Sequence, residues 1–134
     1  MRQIDLPFKV ARPILACGAD IKGAFALAIG KRAILEEAFG DLADPDNLAR
    51  YEKAVLVAEK RAAIKPKVIA CDLHPGYFST RFAERHHKSM AGSALCRVQH
   101  HEAHIASAMV EHGIKGDCLG TAFDGTGFGS DGNI

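Results

Sequence analysis

Apolar residues in this chain gather in short runs punctuated by glycine and proline, and those runs alternate with stretches whose apolar positions recur at helical spacing. Pro13 precedes the compact run Ile14 to Asp20 (ILACGAD), which predicts a buried strand ending in a turn that carries Gly18 and Gly23. The next run, AFALAIGKRAILEEAF, has Gly30-Lys31 at its centre. It predicts two strands folded into a hairpin, although its alanines and glutamates would also suit a helix. Asp44-Pro45-Asp46 then marks a helix start, and Leu48, Tyr51, Val55 and Ala58 or Ala62 form the apolar face of a helix that ends before Pro66.

The second half continues the alternation. Lys67 to Asp72 (KVIACD) lies between Pro66 and Pro75 and predicts a buried parallel strand. HPGYFST supplies a turn, and Ser79 or Thr80 is expected to cap a short helix through Phe82 to His87. Ala94 to Gln99 predicts a further strand, followed by a helix from His101 to about His112 that Gly113 stops. Leu119 to Phe123 predicts a last strand with Asp124 at its carboxyl end. The order β-β-β-α-β-α-β-α-β is that of an α/β architecture, a mixed sheet with crossover helices. Ligands of open α/β sheets bind outside the carboxyl ends of the strands. Residues 18–23, 100–104 and 124–132 are therefore the candidate sites.

Composition limits the partners. A chain of 134 residues, 48% hydrophobic, is one globular domain or less. Its 17 basic and 16 acidic residues leave a formal charge of +1, too little field to draw nucleic acid or a membrane surface, and neither is expected as a partner. No stretch is apolar for long enough to span a bilayer, and MRQIDLPFKVARP lacks the apolar core of a signal peptide, so cytoplasmic residence is expected. Cys17, Cys71, Cys96 and Cys118 are widely spaced without a C-x-x-C, and three of them lie in apolar runs. They read as buried thiols rather than a disulfide framework or zinc knuckle.

The chemistry concentrates in VQHHEAHIASAMVEH and TAFDGTGFGSDG. His100 and His104 are four apart, which puts two imidazoles on one helical face where they can share a cation. The protease motif His-Glu-x-x-His is excluded, because Glu102 stands two residues after His100 rather than directly after it. Asp124 supplies a carboxylate, and Gly125, Thr126 and Gly127 supply backbone N–H groups that can approach a phosphate. Lys22 in the first turn is a second phosphate candidate. His101, Asp72 and His74 are candidates for lining the same cleft. Each feature has a plainer alternative: helix-face histidines are often only solvated, DGTGFGSDG would serve as a flexible turn, and Lys22 as a solvated turn residue.

Several of these segments occur together and in order: ILACGADIKGAFALA, FGDL, VIACDLHPGYFSTRFAE, VQHHEAHIASAMVEHG and FDGTGFGSDG. From about Pro13 onward the chain resembles the C-terminal carbamoyltransferase module of the HypF hydrogenase-maturation family. The resemblance implies a ribonuclease-H-like mixed sheet, the first lobe of an actin-like ATPase fold, with strands and helices in the order β-β-β-α-β-α-β-α. It divides the chain into a lead-in (1–12), that first lobe (13–116), and the opening strand and phosphate-type turn of a second, truncated lobe (117–134).

The same resemblance implies that His100, His104 and Asp124 hold a divalent metal, Fe or Zn. It implies transfer of a carbamoyl group from carbamoyl adenylate, made from carbamoyl phosphate and ATP in domains absent from this chain. The acceptor is the C-terminal cysteine of a HypE partner, on the way to a cyanide ligand of nickel-iron hydrogenase. One departure is Glu102, where many relatives have a third histidine; it is closer to the His-x-Glu-Gly-His of the tRNA threonylcarbamoyl-transfer family. That family is the enzymatic alternative, and DLHPGYFSTRFAE and DGTGFGSDG favour the hydrogenase branch. The other alternative is a lobe that binds metal or a partner without turning over by itself.

Overall fold

The computed structural model of the chain describes residues 1–124, 128, 129, 131 and 132. The elements follow in the order β1 (Arg2–Ala16), β2 (Phe25–Glu36), α1 (Pro45–Ala62), β3 (Val68–Asp72), α2 (Phe78–Ser89), β4 (Ala94–Val98) and α3 (His100–Glu111). Four strands form one mixed sheet in the order β2-β1-β3-β4. β1 and β2 are antiparallel, whereas β3 runs parallel to both β1 and β4. The α/β class expected from the alternation is the observed one, and the carboxyl ends of β1, β3 and β4 lie on one edge of the sheet.

Two strand expectations are corrected. The run around Gly30-Lys31 is not a hairpin but one twelve-residue strand, and its partner is β1, which begins at Arg2 within the segment read as a lead-in. Between Asp5 and Val10 the first strand advances five residues while its partner steps back only from Arg32 to Gly30. Such a mismatch demands bulged backbone. Gly30 meets it at φ 59, a left-handed conformation that costs glycine little. Pro7, with no N–H to donate, falls in the same irregular stretch. The second correction concerns Leu119 to Phe123, which forms no strand; Leu119 and Phe123 are fully exposed, and among the described residues no strand pairs with them.

The core lies on one face of the sheet. Leu15 and Cys17 of the β1 end, Phe25 and Leu27, and Ile69 and Cys71 are buried at spacing two, as strand geometry requires of one face. α1 covers them with Tyr51, Val55 and Ala58, and α2 with Phe82 and Ala83. Tyr51 stands edge-on to Phe25, Phe39 and Phe82 at 5.5–5.8 Å, and its hydroxyl donates to the Cys17 carbonyl at 2.7 Å. That bond satisfies a buried polar group while fixing α1 to the end of β1. Of the four cysteines expected to be buried, Cys17 and Cys71 are; Cys96 on the edge strand and Cys118 are exposed.

The helix caps differ in origin. Asp44 caps α1 as expected, accepting from the N–H groups of Asp46 and Asn47, with Pro45 at the first position. α2 begins at Phe78, earlier than expected, and neither Ser79 nor Thr80 is its cap. Its first N–H groups, on Phe78 and Ser79, donate to the two carboxylate oxygens of Asp20 at 2.8 and 3.0 Å. A carboxylate from a distant turn thus serves the helix N-terminus, where negative charge is favoured. Among the described residues, no helix is long and apolar enough to cross a membrane.

Candidate metal centre

β3 ends at Asp72 and β4 at Val98, paired in parallel register, and the Leu73 N–H bonds to the Val98 carbonyl at 3.0 Å. The two strand ends therefore deliver neighbouring groups: Asp72 directly, and His100 as the first residue of α3. Gln99 is the N-cap of that helix, its side chain accepting from the Glu102 N–H at 2.7 Å. His104 follows one turn later on the same face. The extended segment after α3 brings Asp124 back to them.

The result is a close cluster. Nε2 of His100 lies 2.8 Å from Oδ2 of Asp124, and Nε2 of His104 lies 3.2 Å from both of those atoms. His100, His104 and Asp124 each offer one donor atom, all within 4.8 Å of one another. Donors about 2.1 Å from a common cation stand about 3.0–3.4 Å apart at right-angled to tetrahedral geometry, so the observed spacing suits a divalent metal. Two imidazoles and a carboxylate are an appropriate set for Zn or Fe. The side chain of His100 is 13% exposed and that of His104 55%, so the cluster is closed toward the sheet and open on the far side. An open cavity of about 300 Å³ adjoins it, lined by His104, Ile105, Ala108, Thr121, Phe123 and Asp124.

The electrostatics centre on His100. Burial works against its charged form, but hydrogen bonds to Asp72 and Asp124 outweigh burial and raise its pKa above the ordinary imidazole value. The contact with Asp72 is the shorter, 2.6 Å from Nδ1 to Oδ2. The other Asp72 oxygen accepts the His74 N–H at 2.8 Å, and the Asp72 carbonyl accepts from the Thr80 hydroxyl at 3.3 Å.

Of the residues singled out in the sequence, His100, His104 and Asp124 converge. Asp72 is more than a cleft-lining residue, since it bonds His100. His101 reaches the Asp124 carbonyl through Nε2 at 2.9 Å. His74 stacks on Tyr77 at 4.3 Å, with the Phe128 ring edge-on at 5.1 Å. Lys22 is exposed in the turn after β1 and makes no hydrogen bond or ion pair among the described residues. Gly125, Thr126 and Gly127 lie outside the described residues. Sequence reasoning missed Gln99, which it placed in a strand, and Asp20. The signal for Gln99 was its position immediately before a helix with a glutamate three residues on, the spacing of a capping box.

The profile of the HypF Kae1-like domain family matches residues 9–111 of the chain. The chain belongs to that family. Among HypF relatives, the carbamoyltransferase HypF homolog of Cupriavidus necator is 38% identical over 120 residues, covering 90% of this chain and 30% of the relative. The carbamoyltransferase HypF of Synechocystis is 36% identical over 132 residues, 98% of this chain and 17% of the relative. Two HypF crystal structures share the fold. Full-length HypF in a phosphate- and nucleotide-bound form superposes with a TM-score of 0.88 at 38% identity, over 98% of this chain and 20% of that one. HypF of T. kodakarensis gives 0.83 at 33% identity, over 97% and 17%. The chain thus spans less than a third of the length of the HypF proteins it matches, and the actin-like description of its fold holds.

Proposed function

We propose that this chain is the metal-holding part of a cytoplasmic carbamoyltransferase of nickel-iron hydrogenase maturation. The observation that carries the reading is the convergence of His100, His104 and Asp124 at the strand ends of a HypF-family fold. The group transferred is the carbamoyl of carbamoyl adenylate, formed from carbamoyl phosphate and ATP by regions that the longer relatives carry outside this span. The acceptor is the C-terminal cysteine thiolate of a HypE-like protein, so no cysteine of this chain acts as nucleophile.

His100, His104 and Asp124 would hold the metal, and a divalent ion there supplies Lewis acidity toward a carbonyl or phosphate oxygen. The residues of the chain do the positioning. α3 presents both imidazoles on one face, Asp72 fixes the orientation of His100, and the exposed side of His104 leaves the cluster open toward substrate. Gly125 to Gly127 and Lys22 are assigned to phosphate oxygens; their backbone N–H groups and ammonium suit an anion. His74 is assigned to the cleft wall.

By itself the chain is expected to bind metal without turning over, because it spans so little of its relatives. A segment swap tests the reading: the matching region of a full-length HypF is replaced by this chain and assayed with carbamoyl phosphate, ATP and the acceptor protein. The acceptor should gain the mass of one carbamoyl group, and His100→Ala or His104→Ala in the swapped protein should abolish the gain. A swapped protein that folds and binds metal but does not carbamoylate would overturn the proposal, as would turnover that survives both substitutions.

A further inference from the structure

The end of the sheet opposite the metal centre holds a second concavity. α1 closes at Ala63, which takes the left-handed conformation at φ 53, and the chain then buries Ile64, whose N–H bonds to the Glu59 carbonyl at 3.0 Å. Lys65, Pro66 and Lys67 lead from there into β3, and the Lys67 N–H is tied to the Pro13 carbonyl at 2.8 Å. Between this connection and the end of α2 lies an open cavity of about 660 Å³. It sits at the amino ends of β3 and β4, and the length of β3 puts about 16 Å between Lys67 and Asp72.

The lining is apolar and the rim cationic. Leu56, Ile64, Pro66 and Met90 form the apolar part. Ile64 and Pro66 are buried and Met90 packs against the core, whereas Leu56 is 53% exposed. One exposed leucine is ordinary by itself; this one borders a concave apolar floor. Lys60, Lys65 and Lys67 stand on the rim, all exposed, and none makes an ion pair among the described residues. Lys60 complements the carbonyl end of α1, where cations are favoured, but Lys65 and Lys67 lie beyond the helix and its dipole does not account for them. The acidic residue of the lining, Glu59, is buried and bonded to His86 at 2.8 Å. We propose that this cavity binds a small organic anion with an apolar body, of the class of a medium-chain carboxylate, the body against Leu56, Ile64 and Met90 and the anionic head between Lys65 and Lys67. The volume lies within the range of small-ligand pockets, roughly 300–1,000 Å³. A protein partner would need roughly 800 Å² on this side, far more than one exposed leucine and three lysine stems offer. The site is separate from the metal centre in position and in chemistry.

Titration of the chain with anilinonaphthalene sulfonate, an apolar ring system carrying one anionic group, tests the site through nitrogen-15 amide spectra and probe fluorescence. Amide shifts of residues 56–67 and 89–91 should saturate together, with a dissociation constant on the order of tens of micromolar for a molecule of that size. No saturable shift there at about 1 mM probe would overturn the proposal. Leu56→Glu changes an exposed side chain, leaves the core intact and should abolish binding at these residues. Lys65→Gln combined with Lys67→Gln should weaken it about tenfold, and phenylnaphthylamine, which lacks the sulfonate, should bind there at least about tenfold more weakly. Binding that ignores both removals of charge would show a merely apolar surface and sink the anion assignment. Decanoate should displace the probe, whereas sulfate at equal ionic strength should not. Displacement by sulfate would reveal a simple cationic patch and sink the apolar half.

Discussion

Nε2 of His100 and Oδ2 of Asp124 lie 2.8 Å apart although 24 residues separate them in the chain. A deprotonated imidazole nitrogen and a carboxylate oxygen at that distance repel each other unless a proton or a cation lies between. On the metal reading, a divalent ion bound there would relieve the repulsion and take His104 as a third donor. Elemental analysis of the purified chain should therefore find one metal per chain. His100→Ala, His104→Ala and Asp124→Ala should each weaken binding by more than about 100-fold, beyond the range typical of outer-sphere partners. Unchanged metal content in any of the three would remove that residue from the ligand set.

A metal held by His100 would compete with a proton for the same nitrogen, which fixes the sign of the pH dependence. Burial opposes the charged form of His100, yet its bonds to Asp72 and Asp124 raise the pKa in the folded chain. In the metal-free chain this pairing stabilises the fold fully below the ordinary imidazole pKa of about 6.5 and fades as pH rises through the raised folded value. Metal affinity should change in the opposite direction, rising over the same interval as His100 gives up its Nε2 proton. Denaturant midpoints and metal titrations across that interval should therefore slope oppositely. Parallel slopes would contradict the competition.

The cap that Asp20 places on α2 should be visible in stability alone. Asp20 is 7% exposed and accepts from two N–H groups nearly sixty residues away, so Asp20→Ala leaves both donors unsatisfied. A loss of about 2 kcal/mol is expected, and about 1 kcal/mol for Asp20→Asn, which retains one acceptor oxygen. Urea denaturation measures both. An alanine variant as stable as wild type would mean that water replaces the carboxylate at no cost.

Thiol chemistry should separate the four cysteines. Burial pushes the Cys17 thiol up to about 12, against a smaller opposing effect of its hydrogen bond with Tyr51, and burial also raises Cys71. The thiolate is the reactive form, so both should resist alkylation in the native state. Cys96 and Cys118 are exposed and should react first. Mass mapping after a short iodoacetamide pulse should find label on these two only, and label on Cys17 before unfolding would contradict the packed end of β1.

The elements that the sequence determined are those whose physics is local. Asp44 and Pro45 announced α1 because a cap and a fixed φ act within one turn, and the spacing of His100 and His104 set them on one helical face whatever the rest of the chain does. β3 and β4 were legible from short apolar runs between breakers. The strict alternation Ile4, Leu6, Phe8, Val10 also marked β1, but Pro7 in its middle obscured it, and without that strand Gly30 read as a hairpin turn instead of a bulge. Leu119 to Phe123 has the composition of a strand, yet a strand exists only where a neighbour supplies hydrogen bonds. What tertiary structure decided is every pairing of groups distant in the chain: Asp20 with α2, Asp72 with His100, and His101 with the Asp124 carbonyl. The parallel register of β3 and β4 sets two of these residues side by side, and register is a property of paired strands that neither strand carries alone.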